Sequence, residues 1–352
     1  MKIFRNIASV ILPVCVAFAS CSDDSDPVMK NDFIKKTVSP AIAGQQLEFA
    51  YAMGAVTGTL GTATAQASIA GAPGTGFGEY SYYTTRVALV VGETNYNAGN
   101  DVPLKTVSRT STSGTVSTAT MESRIDEVYT NPSVPYGAGM VDMKAATIRY
   151  YYVVPEEAQG KEVSFVFSSK SSAGDEASCS TPAYQVSKMD MKRLIDMANG
   201  GARYFSIADM AAYTQAEVES GNLSSKIDFA YIYQNGFNGF TYGHVFISPG
   251  SDPKYFAQPL IPGGWTKNKT LMEKRVDVRD AQLKGSIPNV FIDDIDFETL
   301  DLSAATDFVL NFVNDEGAFM KTADGKYLAY VYVNSVNSAG TIRVSIKRYP
   351  LN

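Results

Sequence analysis

Alternation of apolar and polar positions recurs along the chain and predicts strands. Leu47, Phe49 and Tyr51 alternate with Glu48 and Ala50, which gives that segment one apolar face. Val163-Ser164-Phe165-Val166-Phe167 repeats the pattern, and Ser171-Ser172-Ala173-Gly174 turns the chain after it. The stretch from Thr147 to Val154 carries large side chains on both faces, as in a strand covered on two sides. Near the C-terminus, Asp324-Gly325 separates Phe319-Met320-Lys321 from Tyr327-Leu328-Ala329-Tyr330. Both turn residues tolerate positive φ, so a hairpin is predicted there. Asn337 to Gly340 turns the chain again, and Thr341 to Ile346 returns as a last strand. Helix is scarce. Thr214 and Glu217 have the spacing of a capping box and predict one or two turns to Ser220. Met191 to Met197 fits either period and is read as strand.

Hairpins that follow one another at short spacing build antiparallel sandwiches. Three short segments also recur in the same order. Leu47-Glu48-Phe49-Ala50-Tyr51 matches Ile227-Asp228-Phe229-Ala230-Tyr231, Asp142 to Thr147 matches Asp301 to Thr306, and Ser171 to Gly174 matches Asn337 to Gly340. The expected fold class is therefore all-β: two tandem immunoglobulin-like antiparallel β-sandwich domains with little helix, at residues 32–187 and 188–352.

The first residues follow a different pattern. Lys2 and Arg5 precede an apolar run from Ile7 to Ala19. That run falls short of the roughly 20 residues a spanning helix needs and suits a cleaved signal, residues 1–20. Phe18-Ala19-Ser20-Cys21 resembles the lipobox of bacterial lipoproteins, which makes Cys21 the expected lipidation site and first mature residue. Ser22-Asp23-Asp24 resembles the acidic surface-export tag of Bacteroidetes lipoproteins. Residues 21–31 read as an acidic flexible tether. The expected location is the extracellular face of the outer membrane, anchored in lipid through acylated Cys21.

Composition narrows the function. Thirty basic residues less Lys2 and Arg5 leave 28 against 36 acidic ones, a net of −8 for the mature chain. Nucleic acid is a poor partner for such a balance. With Cys15 in the signal and Cys21 acylated, Cys179 stands alone and no internal disulfide forms. Chemistry has few carriers. The single histidine, His244, lies in the alternating segment Gly243-His244-Val245-Phe246-Ile247 and reads as a packed side chain. No serine elbow or zinc motif surrounds it. The expectation is no catalytic residue and no cofactor. Asp294, Asp296 and Glu298, two apart within Asp293-Asp294-Ile295-Asp296-Phe297-Glu298, are the one metal candidate. On a strand they would share a face and could converge on Ca²⁺, or line a solvated face while Ile295 and Phe297 enter the core. Trp265, within Pro262-Gly263-Gly264-Trp265, is a candidate platform for a sugar ring, with burial the competing and favoured role. Tyr80, Tyr82 and Tyr83 beside the glycine-rich run from Gly71 are further ligand-binding candidates, with an aromatic strand as the alternative. Gly74-Thr75-Gly76-Phe77-Gly78 lacks the lysine and helix of a phosphate loop.

The lipobox with Ser22-Asp23-Asp24, Asn31-Asp32-Phe33-Ile34-Lys35-Lys36 after the tether, tandem sandwiches and the closing Val344-Ser345-Ile346-Lys347-Arg348-Tyr349 together resemble a family of Bacteroidetes surface lipoproteins. The resemblance implies a setting similar to SusE- and SusF-type accessory lipoproteins, beside a SusC/SusD-like uptake complex. It implies a glycan or peptide ligand and carries over no binding residue. The leading expectation is a non-catalytic nutrient-binding lipoprotein. The alternatives are a structural subunit of the transporter complex with no soluble ligand, and a carboxylate-dependent surface hydrolase.

Overall fold

The computed structural model describes residues 29–78, 80–83, 102–105, 110–121, 145–236, 239–255, 260–284 and 290–351. The signal segment and Cys21 lie outside them. So do Asp142 to Lys144 of the second repeat match.

The first sandwich is built from β1 (Met29–Lys36), β2 (Gln46–Ala55), β3 (Leu60–Ala67), β4 (Gly76–Phe77), β5 (Tyr80–Tyr83), β6 (Val102–Lys105), β7 (Thr110–Ser113), β8 (Val116–Thr120), β9 (Ala145–Val153), β10 (Glu162–Val163), β11 (Phe165–Ser171), β12 (Glu176–Ser180) and β13 (Tyr184–Gln185). One sheet runs β1-β2-β9-β5-β6, with β4 also on β9. The facing sheet runs β12-β11-β3-β8-β7, and β10 pairs β13 apart from both. The predicted alternation in β11 is real: Phe165 and Phe167 point inward while Val166 faces out. Their rings meet Phe49 of β2 at 4.9 and 5.3 Å, and Tyr150 and Tyr152 of β9 close the same aromatic core. β1 begins at Met29, within the stretch expected to be tether. Met29 is buried and pairs with Ala55, so its apolar side chain draws the strand three residues further back than the polar run suggests.

The second sandwich follows from β14 (Asp190–Ala198), β15 (Tyr204–Ser206), β16 (Ala211–Tyr213), α1 (Gln215–Ser220), β17 (Phe229–Gln234), β18 (Gly243–Ile247), β19 (Leu271–Arg275), α2 (Ala281–Lys284), α3 (Asp294–Glu298), β20 (Phe308–Val309), β21 (Gly317–Lys321), β22 (Tyr327–Asn337) and β23 (Thr341–Pro350). Its sheets run β14-β23-β22-β21-β19 and β16-β15-β17-β18-β20, all antiparallel. The Asp324-Gly325 hairpin, the turn at Asn337 and the last strand form as predicted, with Gly325 and Gly340 at positive φ. Met191 to Met197 is strand. Thr214 caps α1, with its hydroxyl taking the Glu217 amide while the Glu217 carboxylate takes the Thr214 amide.

Both faces of each second-module sheet are covered. Between the sheets, Val331, Val333, Val344 and Ile346 meet Phe205, Phe229, Tyr231 and Phe246. On the outer face of β22 and β23, Tyr330, Tyr332 and Tyr349 lie under Leu283, Ile292, Phe297 and Leu302 from the segment carrying α2 and α3. On the outer face of β17 and β18, Ile232, Val245 and Ile247 lie under Val218 of α1 and under Leu260, Ile261 and Trp265. The modules touch: Ile42 joins the cluster of Met189 and Leu283, and the Gln282 side-chain amide donates to the Pro40 carbonyl.

The repeat is local rather than topological. Phe49/Tyr51 and Phe229/Tyr231 both enter inter-sheet cores, and both matched turns close hairpins. Yet β2 pairs with β1 and β9, whereas β17 pairs with β15 and β18. Ala145 to Thr147 open a central strand, whereas Asp301 to Thr306 is a loop touching β19 by one bridge. Any antiparallel sandwich needs aromatic core strands and tight turns, which is enough to produce such matches.

Candidate functional site

The acidic run folds as helix α3, not as a strand. Asp293 caps it by accepting from the amides of Ile295 and Asp296, and the Asp296 carboxylate accepts from the Asp293 amide at 2.9 Å. The helical turn rotates the carboxylates about 100° per residue, so Asp294 and Asp296 point to opposite sides. Asp294 accepts from the Ser187 hydroxyl and the Lys188 amide in the junction between the modules. Glu298 accepts from the Tyr349 phenol at 3.0 Å. The three therefore do not converge as a calcium site. Among the described residues no group of three or more His, Cys, Asp or Glu side chains is placed to hold a metal. Phe297 enters the core, stacked on Tyr349 with centroids 5.4 Å apart, while Ile295 is 66% exposed.

Beside α3 lies an open cleft of about 710 Å³. Its floor is apolar, from Phe297, Leu302, Leu328 and Tyr349, all buried. Its rim carries Lys188, Lys321, Glu298, Asp301 and Ser303. Hydrogen bonds from the Ser303 amide and hydroxyl hold the Asp301 carboxyl below its ordinary pKa. Burial, with the Glu298 acceptor, pushes the Tyr349 phenol up to about 12, so it remains a neutral donor at ordinary pH. Glu298 belongs to the acidic cluster picked out in sequence. Lys188 and Lys321 carry no sequence signal, and Tyr349 entered only as the end of the Val344 to Tyr349 stretch, because the three come from a linker and two separate strands and meet only in the fold.

Trp265 is half-buried. Its ring lies 4.8 Å from Tyr204 at 61°, and the Tyr204 phenol donates to the Leu260 carbonyl. It thus helps seal one outer face of the second sandwich. A smaller pocket of about 450 Å³ opens within the same cover, between Pro249, Pro253, Leu260, Ile261 and Lys267. Tyr80, Tyr82 and Tyr83 are in β5 of the first sandwich, where Tyr82 lies opposite Pro103 and Thr147, and their side chains lie outside the described set. The ligand candidates are thus divided between the modules. A third hollow, about 950 Å³, follows the junction between Ile69–Pro73, Glu156, Glu157, Met191 and the Asp190–Arg348 pair. His244 is packed: its Nδ1 lies 2.7 Å from the Tyr231 hydroxyl, and burial lowers its pKa.

Comparison with known proteins agrees with this architecture. Residues 26–130 and 125–186 match the family model described as a domain of unknown function, DUF4466, and residues 187–351 match a second one, DUF8576. A crystal structure of a DUF4466 family protein from Parabacteroides merdae is 36% identical. The alignment covers 92% of this chain and 99% of that one, with a TM-score of 0.76. The chain belongs to the DUF4466 family. The major pilin subunit BcpA of Bacillus cereus is 11% identical over 62% of this chain and 58% of that one, with a TM-score of 0.28. A cycloalternan-degrading enzyme from Trueperella pyogenes is 8% identical over 87% of this chain and 31% of that one, with a TM-score of 0.19. These two likenesses are too slight to bear on fold or function. No curated protein matches the chain.

Proposed function

We propose that the chain is a non-catalytic lipoprotein, anchored through Cys21 on the outer face of the outer membrane, that captures a glycan or another nutrient as an accessory to a SusC/SusD-type uptake system. The observation that carries the reading is the α3 cleft: an open hollow of about 710 Å³ with a buried apolar floor and a polar rim. That volume falls within the range of about 300–1,000 Å³ used by small-ligand sites. The lipobox-like Phe18-Ala19-Ser20-Cys21 and the relative from Parabacteroides support the setting.

The test is retention of soluble polysaccharide and peptide fractions by the purified mature chain. Ser303→Trp fills the cleft from an exposed position and is expected to abolish retention, while Trp265→Ala leaves it intact. Loss with Trp265→Ala alone would move the site to the cover over β17 and β18 that Trp265 helps seal. Protection of the chain from protease on intact cells would remove the surface location.

A further inference from the structure

We propose that the α3 cleft selects a short peptide with free termini rather than a neutral sugar. This rests on the cleft being the ligand site. The distribution of charge carries the inference. Several cations of the second sandwich are neutralised internally: Lys274 meets Glu316 at 2.7 Å, Arg343 meets Asp196 at 2.6 Å and Lys347 meets Asp280 at 2.6 Å. Among the described residues neither Lys188 nor Lys321 has an ion partner. The carboxylates of Glu298 and Asp301 are held by neutral donors, the Tyr349 phenol and the Ser303 amide and hydroxyl. Two cationic and two anionic residues thus line one hollow without neutralising one another.

A ligand carrying both an ammonium and a carboxylate satisfies both sets of charges. A neutral sugar can hydrogen-bond to these groups but neutralises neither set. The floor is a thin apolar base suited to a side chain: Leu302 and Leu328 are each 7% exposed, Tyr349 6% and Phe297 1%. The geometry assigns the peptide carboxylate to the lysines, its ammonium to Glu298 and Asp301, and an aliphatic side chain to the floor.

Isothermal titration of the mature chain tests this with four probes: a mixture of free tripeptides with leucine at the middle position, its N-acetylated form, its C-amidated form, and maltotetraose. The free tripeptides are expected to bind, and each blocked form to bind about tenfold more weakly, a loss of about 1.4 kcal/mol. Binding is expected to weaken as salt rises, since the rim charges are exposed. In Lys188→Ala/Lys321→Ala, amidation should no longer matter while N-acetylation still does. That pattern separates charge recognition from general disturbance of the cleft. Equal binding of free and blocked peptides overturns the inference. Binding of maltotetraose but not peptides also overturns it and leaves the capture reading standing. Binding of no probe, with Ser303→Trp indistinguishable from the parent, overturns the inference and withdraws the cleft as the capture site.

Discussion

The second sandwich buries one aspartate on each side of its core, and the two are treated in opposite ways. Asp280, beneath the cover that carries α2 and α3, is fully buried against Lys347, which is equally buried, at 2.6 Å. Its carboxylate also accepts from the amides of Leu283 and Ile292, and Lys347 donates its remaining reach to the Ile292 carbonyl. Asp228, at the start of β17, is 6% exposed and has only neutral partners, the Ile207 amide at 2.7 Å and the Thr270 hydroxyl at 3.5 Å. Burial pushes its carboxyl up to about 7. A buried acid given a cation thus becomes a fastening for the segment that walls the cleft. One given only dipoles becomes sensitive to pH.

The largest effect should come from breaking the paired side. Lys347→Met leaves Asp280 buried without its cation and is expected to cost about 3–5 kcal/mol in urea denaturation. Burial lowers the Lys347 pKa and Asp280 opposes that shift, so the ammonium is held in place by its partner. Adding Asp280→Leu should recover only part of the loss, because the Leu283 and Ile292 amides then lose their acceptor at about 1–3 kcal/mol each. Full recovery would mean that the pair fastens nothing.

On the unpaired side the sign reverses. The folded pKa of Asp228 lies above its unfolded value of 3.8, so the native state holds the proton more tightly. Its contribution to stability is greatest at low pH and is lost as pH rises from about 4 to about 7. The span of roughly three pKa units corresponds to about 4 kcal/mol at most. Asp228→Asn removes the ionisation. It is expected to match the parent near pH 4, to be more stable at pH 8 by up to about 4 kcal/mol, and to flatten the curve of Tm against pH. A parent whose stability rises between pH 4 and 7 would contradict the role given to Asp228.

The covers also differ in how far the sequence foretold them. Core strands were legible where alternation maps directly onto burial, as in β11, and where Gly325 supplies the positive φ of a turn, while β22 is buried on both faces from Leu328 to Val333. The cover over β23 was not. Asp294-Ile295-Asp296-Phe297-Glu298 alternates over five residues, too few to tell a period of 2 from one of 3.6. The usable sign was Asp293 with a second acid three residues on, a capping arrangement that outweighed the alternation. The cleft itself was illegible, since its lysines come from the module junction and from β21. Trp265 lies between the two cases: its Gly- and Pro-rich surroundings indicated a loop, and the loop folds back onto Tyr204. Trp265→Ala removes a half-buried indole and is expected to cost about 2 kcal/mol by thermal unfolding, without altering tripeptide titration.

The smallest predicted effect sharpens the comparison from the neutral side. The cover over β17 is held by hydrogen bonds and apolar contact, and its helix α1 has six residues with Val218 as its buried anchor. So short a helix is marginal without its cap. Thr214→Ala removes the hydroxyl that accepts the Glu217 amide, a change worth about 1 kcal/mol. Glu217, whose carboxyl is held below its ordinary pKa by the Thr214 amide and hydroxyl, keeps the amide contact, so the box is halved and not abolished. Hydrogen exchange is expected to quicken at Val218 and Gly221, whose amides donate within α1 to Thr214 and Glu217, and to stay unchanged at Leu283 and Ile292 under the ion-paired cover. If exchange quickened equally on both sides, the covers would open as one unit, and the contrast between a charged fastening and a neutral one would have no consequence for the cleft.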